Sequence, residues 1–218
     1  MRRDLVSSLI AIVVLTVLLG LVYPLAMTGI AQVVFPGRAN GSLVKSGGKV
    51  VGSKLIGQDF RKPVIGKNGK PEEKEEEPVM AADPAYFQER PSGETSYNAA
   101  GSSFTNNGPN SAAAKETYEE NLKTYLELER PYYPGLTAAQ VPIDAVTSSA
   151  SGVDPEISQA NARIQAHRIA AIRHLPLTTV DRLIEENTSG RFLGVLGESG
   201  VNVLELNLAI GRMAGGAH

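Results

Sequence analysis

Histidine and serine are two residue types in this chain that could support metal binding or nucleophilic catalysis. His167 and His174 stand seven residues apart, with no acidic residue or histidine at metal-ligand spacing between them. A serine such as Ser151 would need a histidine and an acid brought to it by the fold, because the sequence contains no Gly-x-Ser-x-Gly elbow. We therefore predict no catalytic residue and no metal ligand, and an anchored hydrolase is the weakest function class considered.

Glycine followed by lysine is the other pattern with chemical meaning, because a phosphate-binding loop ends in Gly-Lys-Ser/Thr. The pairs Gly48-Lys49, Gly66-Lys67 and Gly69-Lys70 lack the rest of that motif. The sequence also lacks the Asp-Lys-Thr-Gly-Thr segment that ion-pumping ATPases phosphorylate and the Thr-Val-Gly-Tyr-Gly potassium filter. We expect a protein that is not itself an enzyme or a pore.

A long uncharged run covers residues 5–37 and is preceded by Arg2 and Arg3. This segment determines where the remainder of the chain lies. Residues 5–27 are long and apolar enough to cross a bilayer, and we expect Pro24 to kink or end this helix. Because positive flanks stay in the cytoplasm, the N-terminus is predicted to be cytoplasmic and the remainder extracytoplasmic. A cleaved signal peptide is the alternative, but its apolar region would be shorter.

The residues after the anchor have the length of one domain. The chain has 21 basic and 23 acidic residues, so nucleic acid is disfavoured as a partner, and it has no cysteine for a disulfide or a thiolate site. We predict an N-terminal segment over residues 1–34 and one extracytoplasmic α+β domain with a small antiparallel sheet over residues 35–218. The stretch 61–84 is rich in Glu and Lys and is predicted to be a flexible charged insertion.

Local patterns predict several elements within this domain. Ser46-Gly47-Gly48 predicts the turn of a β-hairpin between residues 42–45 and 49–56, and the alternative of a nucleotide-binding signature is much weaker. Residues 92–110 are predicted to form a long polar loop, and 112–130 an amphipathic helix. Residues 141–146 are expected to be a short strand.

Helices are predicted in the last third of the chain. Asp154 is the expected N-cap, with Pro155 at the first helical position. The expected buried stripe consists of Ile157, Ala160, Ile164, His167 and Ala171. A second short helix is predicted from residue 178, and residues 201–210, which fit a strand as well as a helix, are assigned to a helix opened by Ser199.

A series of short motifs runs along the chain in a fixed order: Tyr23-Pro24-Leu25, Gly57-Gln58, Arg90-Pro91-Ser92, Ser151-Gly152 with Asp154-Pro155, Leu196-Gly197-Glu198 and Val201-Asn202-Val203. In this order the motifs resemble the C subunit of the Kdp potassium-transporting ATPase. The resemblance extends over nearly 200 residues. At the outer end of the anchor it marks residues that we predict to contact the membrane or another subunit: Tyr23, Pro24, Leu25, Thr28, Gly29 and Gln32. In the domain it marks a larger set: Asn40, Gly41, Ser42, Gly57, Gln58, Arg90, Pro91, Ser92, Ser151, Gly152, Asp154, Pro155, Gln165, Arg168, Arg191, Gly197, Glu198 and Asn202.

The resemblance implies a non-catalytic accessory subunit of a potassium importer in the cell (inner) membrane. Its partners would be a channel-like potassium-binding subunit, a P-type ATPase subunit, a small F subunit and the lipid bilayer. The family is described as assisting assembly and raising the ATP affinity of the ATPase subunit. No firmly bound cofactor is expected, and ATP is a candidate ligand through the resemblance alone.

Two features depart from the family pattern. Residues 61–84 intervene where the family usually passes directly from Gly-Gln-x-Phe to Tyr-Phe, and the usual Ser-Gly-Gly-Ser-Asn-x-Gly-Pro stretch is altered at residues 101–109.

The alternative function is a membrane-anchored or secreted protein of the cell envelope that binds a small ligand by itself, suggested by the polar side chains of Tyr97, Asn98, Asn106 and Asn107.

Overall fold

The structure is a computed structural model that describes residues 2–74, 77–91, 101–102, 106–108, 110–191 and 193–213. Ser92, Tyr97 and Asn98, which the sequence singled out, lie outside the described residues. The chain divides into two compact units, Met1–Leu43 and Val44–His218. The long apolar helix in the first unit, and the mixture of helices with small antiparallel sheets in the second, confirm the predicted α+β class.

The first unit is almost entirely helical. It contains α1 (Arg2–Val17), a π-helical turn (Leu18–Val22), α2 (Tyr23–Val34) and α3 (Pro36–Ala39). Of the two expectations for Pro24, that it kinks or ends the helix, the second is not met, because α2 continues to Val34. Pro24 has no N–H and crowds the carbonyl four residues before it, and the wider π turn directly before it accommodates that break in the hydrogen-bond ladder.

A β-hairpin opens the second part of the chain. β1 (Leu43–Ser46) pairs with β2 (Lys49–Ser53), which confirms the predicted hairpin. Gly47 and Gly48 occupy the turn with φ values of 56° and 79°. Positive φ at both central residues is the geometry of a two-residue hairpin turn, and glycine adopts it without steric cost.

The charged stretch 61–84, predicted to be a flexible charged insertion, has regular secondary structure in its described residues. It forms paired strands: β3 (Arg61–Pro63) with β6 (Met80–Ala82), and β4 (Glu73–Lys74) with β5 (Glu77–Pro78). Between the two ladders, the N–H of Val64 donates to the carbonyl of Val79 at 2.8 Å. Most side chains of this hairpin are exposed, so its sequence shows none of the apolar alternation by which a strand is recognised.

The helix α4 (Ala112–Glu129) confirms the prediction for residues 112–130, and the Ser111 hydroxyl accepts from the Ala114 N–H at its start. The prediction of a strand over residues 141–146 is wrong. Two 3₁₀-helices, Ala138–Gln140 and Ile143–Ala145, occupy this region instead. Pro142 lies between them, and a proline cannot donate to a strand ladder.

The start of the next helix also differs from the prediction. Asp154 does not cap it, because its carboxylate accepts from the Glu156 N–H at 3.1 Å and the chain then forms β7 (Glu156–Ile157). The helix α5 (Gln159–Arg173) begins after Ser158, whose hydroxyl accepts from the Asn161 N–H at 3.1 Å. Ser158 is as good an N-cap as Asp154, so local propensity alone did not separate them.

The predicted apolar stripe of α5 is correct only in part. Ile157, just before the helix, and Ile164 are buried, and His167 is half-buried, but Ala160 and Ala171 are exposed. Beside apolar residues, the buried face of α5 carries large polar side chains, which apolar spacing does not reveal: Asn161, Gln165 and Arg168.

The C-terminal part combines two helices with a small sheet. It contains α6 (Leu177–Glu186), which confirms the second short helix, β8 (Thr188–Ser189), β9 (Gly200–Asn202) and α7 (Val203–Met213). The antiparallel sheet has the order β7-β9-β8. Residues 201–210 are therefore strand first and helix afterwards, and the helix opens after Asn202, not Ser199. The larger hydrophobic core of the α+β domain joins these elements to α5 and to residue 87. It includes Phe87, Ile169, Val180, Val201 and Leu206, all fully buried.

Candidate functional site

The apolar helix is the first candidate site. Arg2–Val34 is long and apolar enough to cross a membrane, judged by length and composition. Charged residues flank it at Arg2, Arg3 and Asp4, and the next charge along the sequence is Arg38. This agrees with the prediction of a membrane-spanning helix at the N-terminus.

The six residues predicted to contact the membrane or another subunit lie on α2, downstream of the π turn. The Thr28 hydroxyl donates a hydrogen bond to the Pro24 carbonyl at 2.8 Å, so this polar side chain has its partner within the helix. Tyr23, Leu25 and Gly29 are exposed in this unit. Their role as contacts stays a prediction.

Gln32 and Asn40 are brought together although they are eight positions apart. The Gln32 amide donates to the Asn40 side-chain oxygen at 3.3 Å, and the Asn40 amide donates back at 3.0 Å. Asn40 also donates to the Pro36 carbonyl at 2.7 Å, and the chain then turns through Gly41 and Ser42 with positive φ. Family-pattern residues thus fix the turn by which the chain leaves the apolar helix.

A cavity of about 420 Å³ is the second candidate site, in the α+β domain. The family-pattern residues that line it are Gln58, Arg90, Pro91, Gly152 and Gln165. Tyr125 and Glu129 of α4 contribute to another part of its wall. The structure therefore gathers residues that are more than 100 positions apart in the sequence.

Glu89 is the most perturbed carboxyl at this cavity. Its Oε1 atom accepts from the Gln58 N–H at 2.8 Å. Burial raises the pKa of Glu89 to about 8; the bond from Gln58 opposes the shift, while the charges of Asp154 and Asp59 add to it. Glu89 therefore holds a proton at neutral pH, next to the family-pattern pair Gly57 and Gln58.

Gly57 lies so close to its neighbours that a side chain would not fit. A Cβ atom at this position would meet the Glu89 carboxylate and would approach the Asp154 carbonyl to 3.0 Å. The Gly57 N–H donates to the Val153 carbonyl at 2.8 Å. This glycine permits the close approach of three segments, which explains why glycine suits the position.

The segment around Asp154 is held by Arg90. The Arg90 guanidinium donates to the Asp154 carboxylate at 3.3 Å and to the Ser148 carbonyl at 3.1 Å. Ser151 accepts from the Val153 N–H, and the carbonyl of Pro155 accepts from the Val203 N–H at 3.0 Å. Gly152 has a φ of 73°, which a glycine adopts readily.

Arg168 and Glu129 form a fully buried ion pair between α5 and α4, with Nε and Oε1 3.0 Å apart. Arg168 also donates to the carbonyls of Pro84 and Tyr86 and to the Gln165 side-chain oxygen. Glu129 Oε2 is buried without a hydrogen-bond partner. Burial raises the pKa of Glu129, and the charge and hydrogen bond of Arg168 oppose this effect.

Gln165 joins this pair to the cavity. Its oxygen accepts from the Gln88 N–H at 2.8 Å, and its amide donates to the Gln88 carbonyl and the Asn161 side chain, each at 3.0 Å. Gln165 and Arg168 together bind the backbone of residues 84–88 as an irregular segment lying against α5. We call this arrangement of Glu129, Gln165 and Arg168 the polar clamp.

The last family-pattern residues lie near β9. Asn202 donates to the Lys54 carbonyl at 2.9 Å and accepts from the Glu205 N–H at 3.0 Å, so it connects the hairpin region to the start of α7. Arg191 and Glu198 form an exposed ion pair at 2.8 Å. Gly197, beside it, has a φ of 83°.

The sequence analysis missed several residues that complete the site. Glu129 is one of them, although a signal was present: it lies four positions after Tyr125 and shares its buried helix face. Glu89 and Asn207 carried no such signal. The Asn207 amide group exchanges two hydrogen bonds with the Phe87 backbone, at 2.8 and 3.0 Å, across 120 positions of sequence.

These contacts hold structure together and expose few reactive groups. Within the described residues, no group of three His, Cys, Asp or Glu side chains could hold a metal ion. His167 stacks on Tyr133 with ring centroids 4.2 Å apart. The arrangement is a scaffold that fixes the domain surface through buried polar side chains.

The fold defines a class: an α+β domain that follows one helix of membrane-spanning length. The family model described as KdpC, K+-transporting ATPase, c chain, matches residues 5–212. The chain therefore belongs to the KdpC family.

Curated relatives agree over almost their whole length. The chain is 43% identical to the potassium-transporting ATPase KdpC subunit of Bradyrhizobium diazoefficiens, covering 98% of this chain and 99% of that protein. It is 45% identical to the same subunit of Rhodopseudomonas palustris, with 96% and 97% covered. The KdpC subunit of Mycobacterium tuberculosis is 42% identical, with 98% and 100% covered.

Proposed function

We propose that the chain is a non-catalytic accessory subunit of an ATP-driven potassium importer, attached to the membrane by its N-terminal helix. The observation that carries the proposal is the family match over residues 5–212, which includes the apolar helix as well as the domain. The buried polar clamp supports the proposal, because its side chains bond to one another and to backbone groups of residues 84–88. The partners are the channel-like subunit, the P-type ATPase subunit and the small F subunit.

The proposed orientation has the N-terminus in the cytoplasm and the domain outside it, because Arg2 and Arg3 are the only basic residues before Arg38. The absence of cysteine in the sequence makes this directly testable. In intact cells, a membrane-impermeant maleimide should label Lys115→Cys and should leave Asp4→Cys unlabelled until the cells are opened. The reverse pattern would contradict this orientation.

An extracytoplasmic domain does not touch cytoplasmic ATP. The proposed increase in the ATP affinity of the ATPase subunit therefore acts through a coupling free energy between conformational states, and by linkage ATP in turn strengthens the association of the accessory subunit. Co-purification from detergent-solubilised membranes tests the basic assignment. A full chain that never associates with a P-type ATPase and a channel-like protein would refute it.

A second candidate is a protein of the cell envelope that binds a small ligand by itself. The cavity of about 420 Å³ with Gln58, Arg90 and Tyr125 in its wall favours this alternative, since its size suits a small molecule. Calorimetry on the full chain in detergent, with ATP and with a panel of amino acids as titrants, distinguishes the two. Saturable binding without partner subunits would support the second function.

A further inference from the structure

An exposed apolar loop joins the adjacent strands β8 and β9. Three of its side chains are large, aliphatic and open to solvent: Leu193 at 78% exposure, Val195 at 73% and Leu196 at 58%. The contrast with β9 is sharp, because all three residues of that strand are buried and its second residue, Val201, is fully buried. Single exposed apolar residues are ordinary on a surface, whereas three within four positions form an apolar cluster, which is the kind of feature that marks an interaction site.

The loop has a specific shape although its tip touches little of the domain. Leu193 has a φ of 53°, in the left-handed region that a leucine rarely adopts, and Gly194 and Gly197 have φ values of 77° and 83°. The Gly194 N–H donates to the Arg191 carbonyl at 3.0 Å. Across the base, the exposed ion pair Arg191–Glu198 joins the two ends of the loop. Backbone strain of this kind points to a function for the conformation it maintains.

Two occupants could cover such a tip, a lipid surface or an apolar pocket on a protein. A lipid surface adapts to any shape, so binding to lipid does not require the loop to keep one strained conformation. Its attraction to proteins also depends on unpaired basic residues, whereas Arg191 is neutralised by Glu198 and the Glu198 side chain is 85% exposed. A protein pocket binds a preorganised loop more tightly, because the loop loses less conformational entropy on binding. The polar rim of such a pocket can complement charges of both signs.

We infer that this loop, described at Arg191 and residues 193–198, inserts Leu193, Val195 and Leu196 into an apolar pocket on the extramembrane surface of another subunit of the potassium-transporting complex. Arg191 and Glu198 lie at the polar rim of this contact. The inference rests on the proposed function, since it names the surface by which the domain docks in the complex. The occupant is a protein, and a lipid occupant would overturn the inference.

Photocrosslinking in the assembled complex tests the occupant. A photoreactive amino acid replaces Val195 in the full chain, which is expressed together with the other subunits. Ile143 is the matched control position, because it is also aliphatic and 64% exposed. We expect a crosslink to another subunit from position 195 and none from position 143. Crosslinks to lipid alone, or none from position 195 in an intact complex, would overturn the inference.

A second measurement asks whether the tip contributes to affinity. The double variant Val195→Ser with Leu196→Ser should associate at least tenfold more weakly, because two aliphatic side chains lose their burial. The control Ile143→Ser should associate like the parent chain, and both variants should keep the parental melting temperature because the replaced side chains are exposed. Unchanged association of the double variant would overturn the loop inference alone, whereas failure of the parent chain to co-purify would refute the proposed function and the inference with it.

Discussion

Arg168 and Glu129 face each other across the interior of the domain, with Nε and Oε1 3.0 Å apart and neither side chain exposed. A buried ion pair is weak evidence for stability, because desolvation offsets much of the attraction between the charges. Its value here lies in specificity: the guanidinium also binds two backbone carbonyls and Gln165, so it fixes the irregular segment 84–88 against α5. The pair determines where the cavity wall lies.

Glu129→Gln should strongly destabilise the domain. The substitution preserves side-chain size but leaves Arg168 as an uncompensated buried charge, which typically costs about 3 to 5 kcal/mol. Chemical denaturation of the full chain in detergent, followed by circular dichroism, measures the loss. The matched control is Glu186→Gln, because Arg182–Glu186 is an ion pair of similar length whose side chains are half exposed, and it should cost under about 0.5 kcal/mol. Equal, small losses in both variants would contradict the argument that the Glu129 carboxylate compensates the charge of Arg168.

Gly57→Ala should destabilise the domain by about 1 to 3 kcal/mol, because the added methyl group overpacks a site where the Asp154 carbonyl lies 3.0 Å away. Gly190→Ala is the control, since a Cβ atom there would meet nothing within 4 Å. Thermal unfolding of the two variants compares them directly. Shortening Glu89 to Ala in the Gly57→Ala background should recover part of the loss, since the Glu89 carboxylate is the other obstacle. A Gly57→Ala variant as stable as Gly190→Ala would contradict the packing argument.

Glu89 should make stability decrease as pH rises. Its pKa is about 8 in the folded state, above the ordinary 4.5, so between these values the folded state binds more proton than the unfolded state. The contribution of Glu89 is therefore fully present below about pH 4.5 and is lost as pH rises through 8. Unfolding free energies of the parent and of Glu89→Gln, measured from pH 5 to pH 9, should diverge, with the variant less dependent on pH by at most about 1.4 kcal/mol per pH unit. Parallel curves would refute the raised pKa.

The elements that were predictable have strong local signals. The uncharged run over residues 5–37, the Gly47-Gly48 turn and the helix of residues 112–130 each follow from composition or spacing within one segment. The start of α5 was misplaced because Asp154 and Ser158 are both good caps, and the choice depends on the pairing of β7 with β9, which is distant in sequence. The buried face of α5 was missed because Gln165 and Arg168 are polar.

The resemblance found part of the site that local patterns could not. It marked Arg90, Gln165 and Arg168, which the fold then brought to one region, but it gave no reason for their burial. Glu129, the partner of Arg168, and Glu89 at the cavity were not found, because a carboxylate in a charged sequence is usually solvated. Only the guanidinium of another helix makes the burial of Glu129 tolerable. Tertiary contacts, not propensity, decide these positions.

The apolar helix should contribute to assembly beyond attachment. Residues 5–22 would serve any anchor, but downstream of the π turn α2 carries Pro24, Thr28 and Gln32, whose contacts fix a particular exit of the chain. Replacing residues 5–32 with an unrelated spanning helix should leave the chain in the membrane fraction while lowering its co-purification with the other subunits. The control replaces residues 5–17 alone, which removes none of these contacts and should assemble normally. If both replacements assemble like the parent chain, the helix is a tether, and the extramembrane domain provides all of the docking energy.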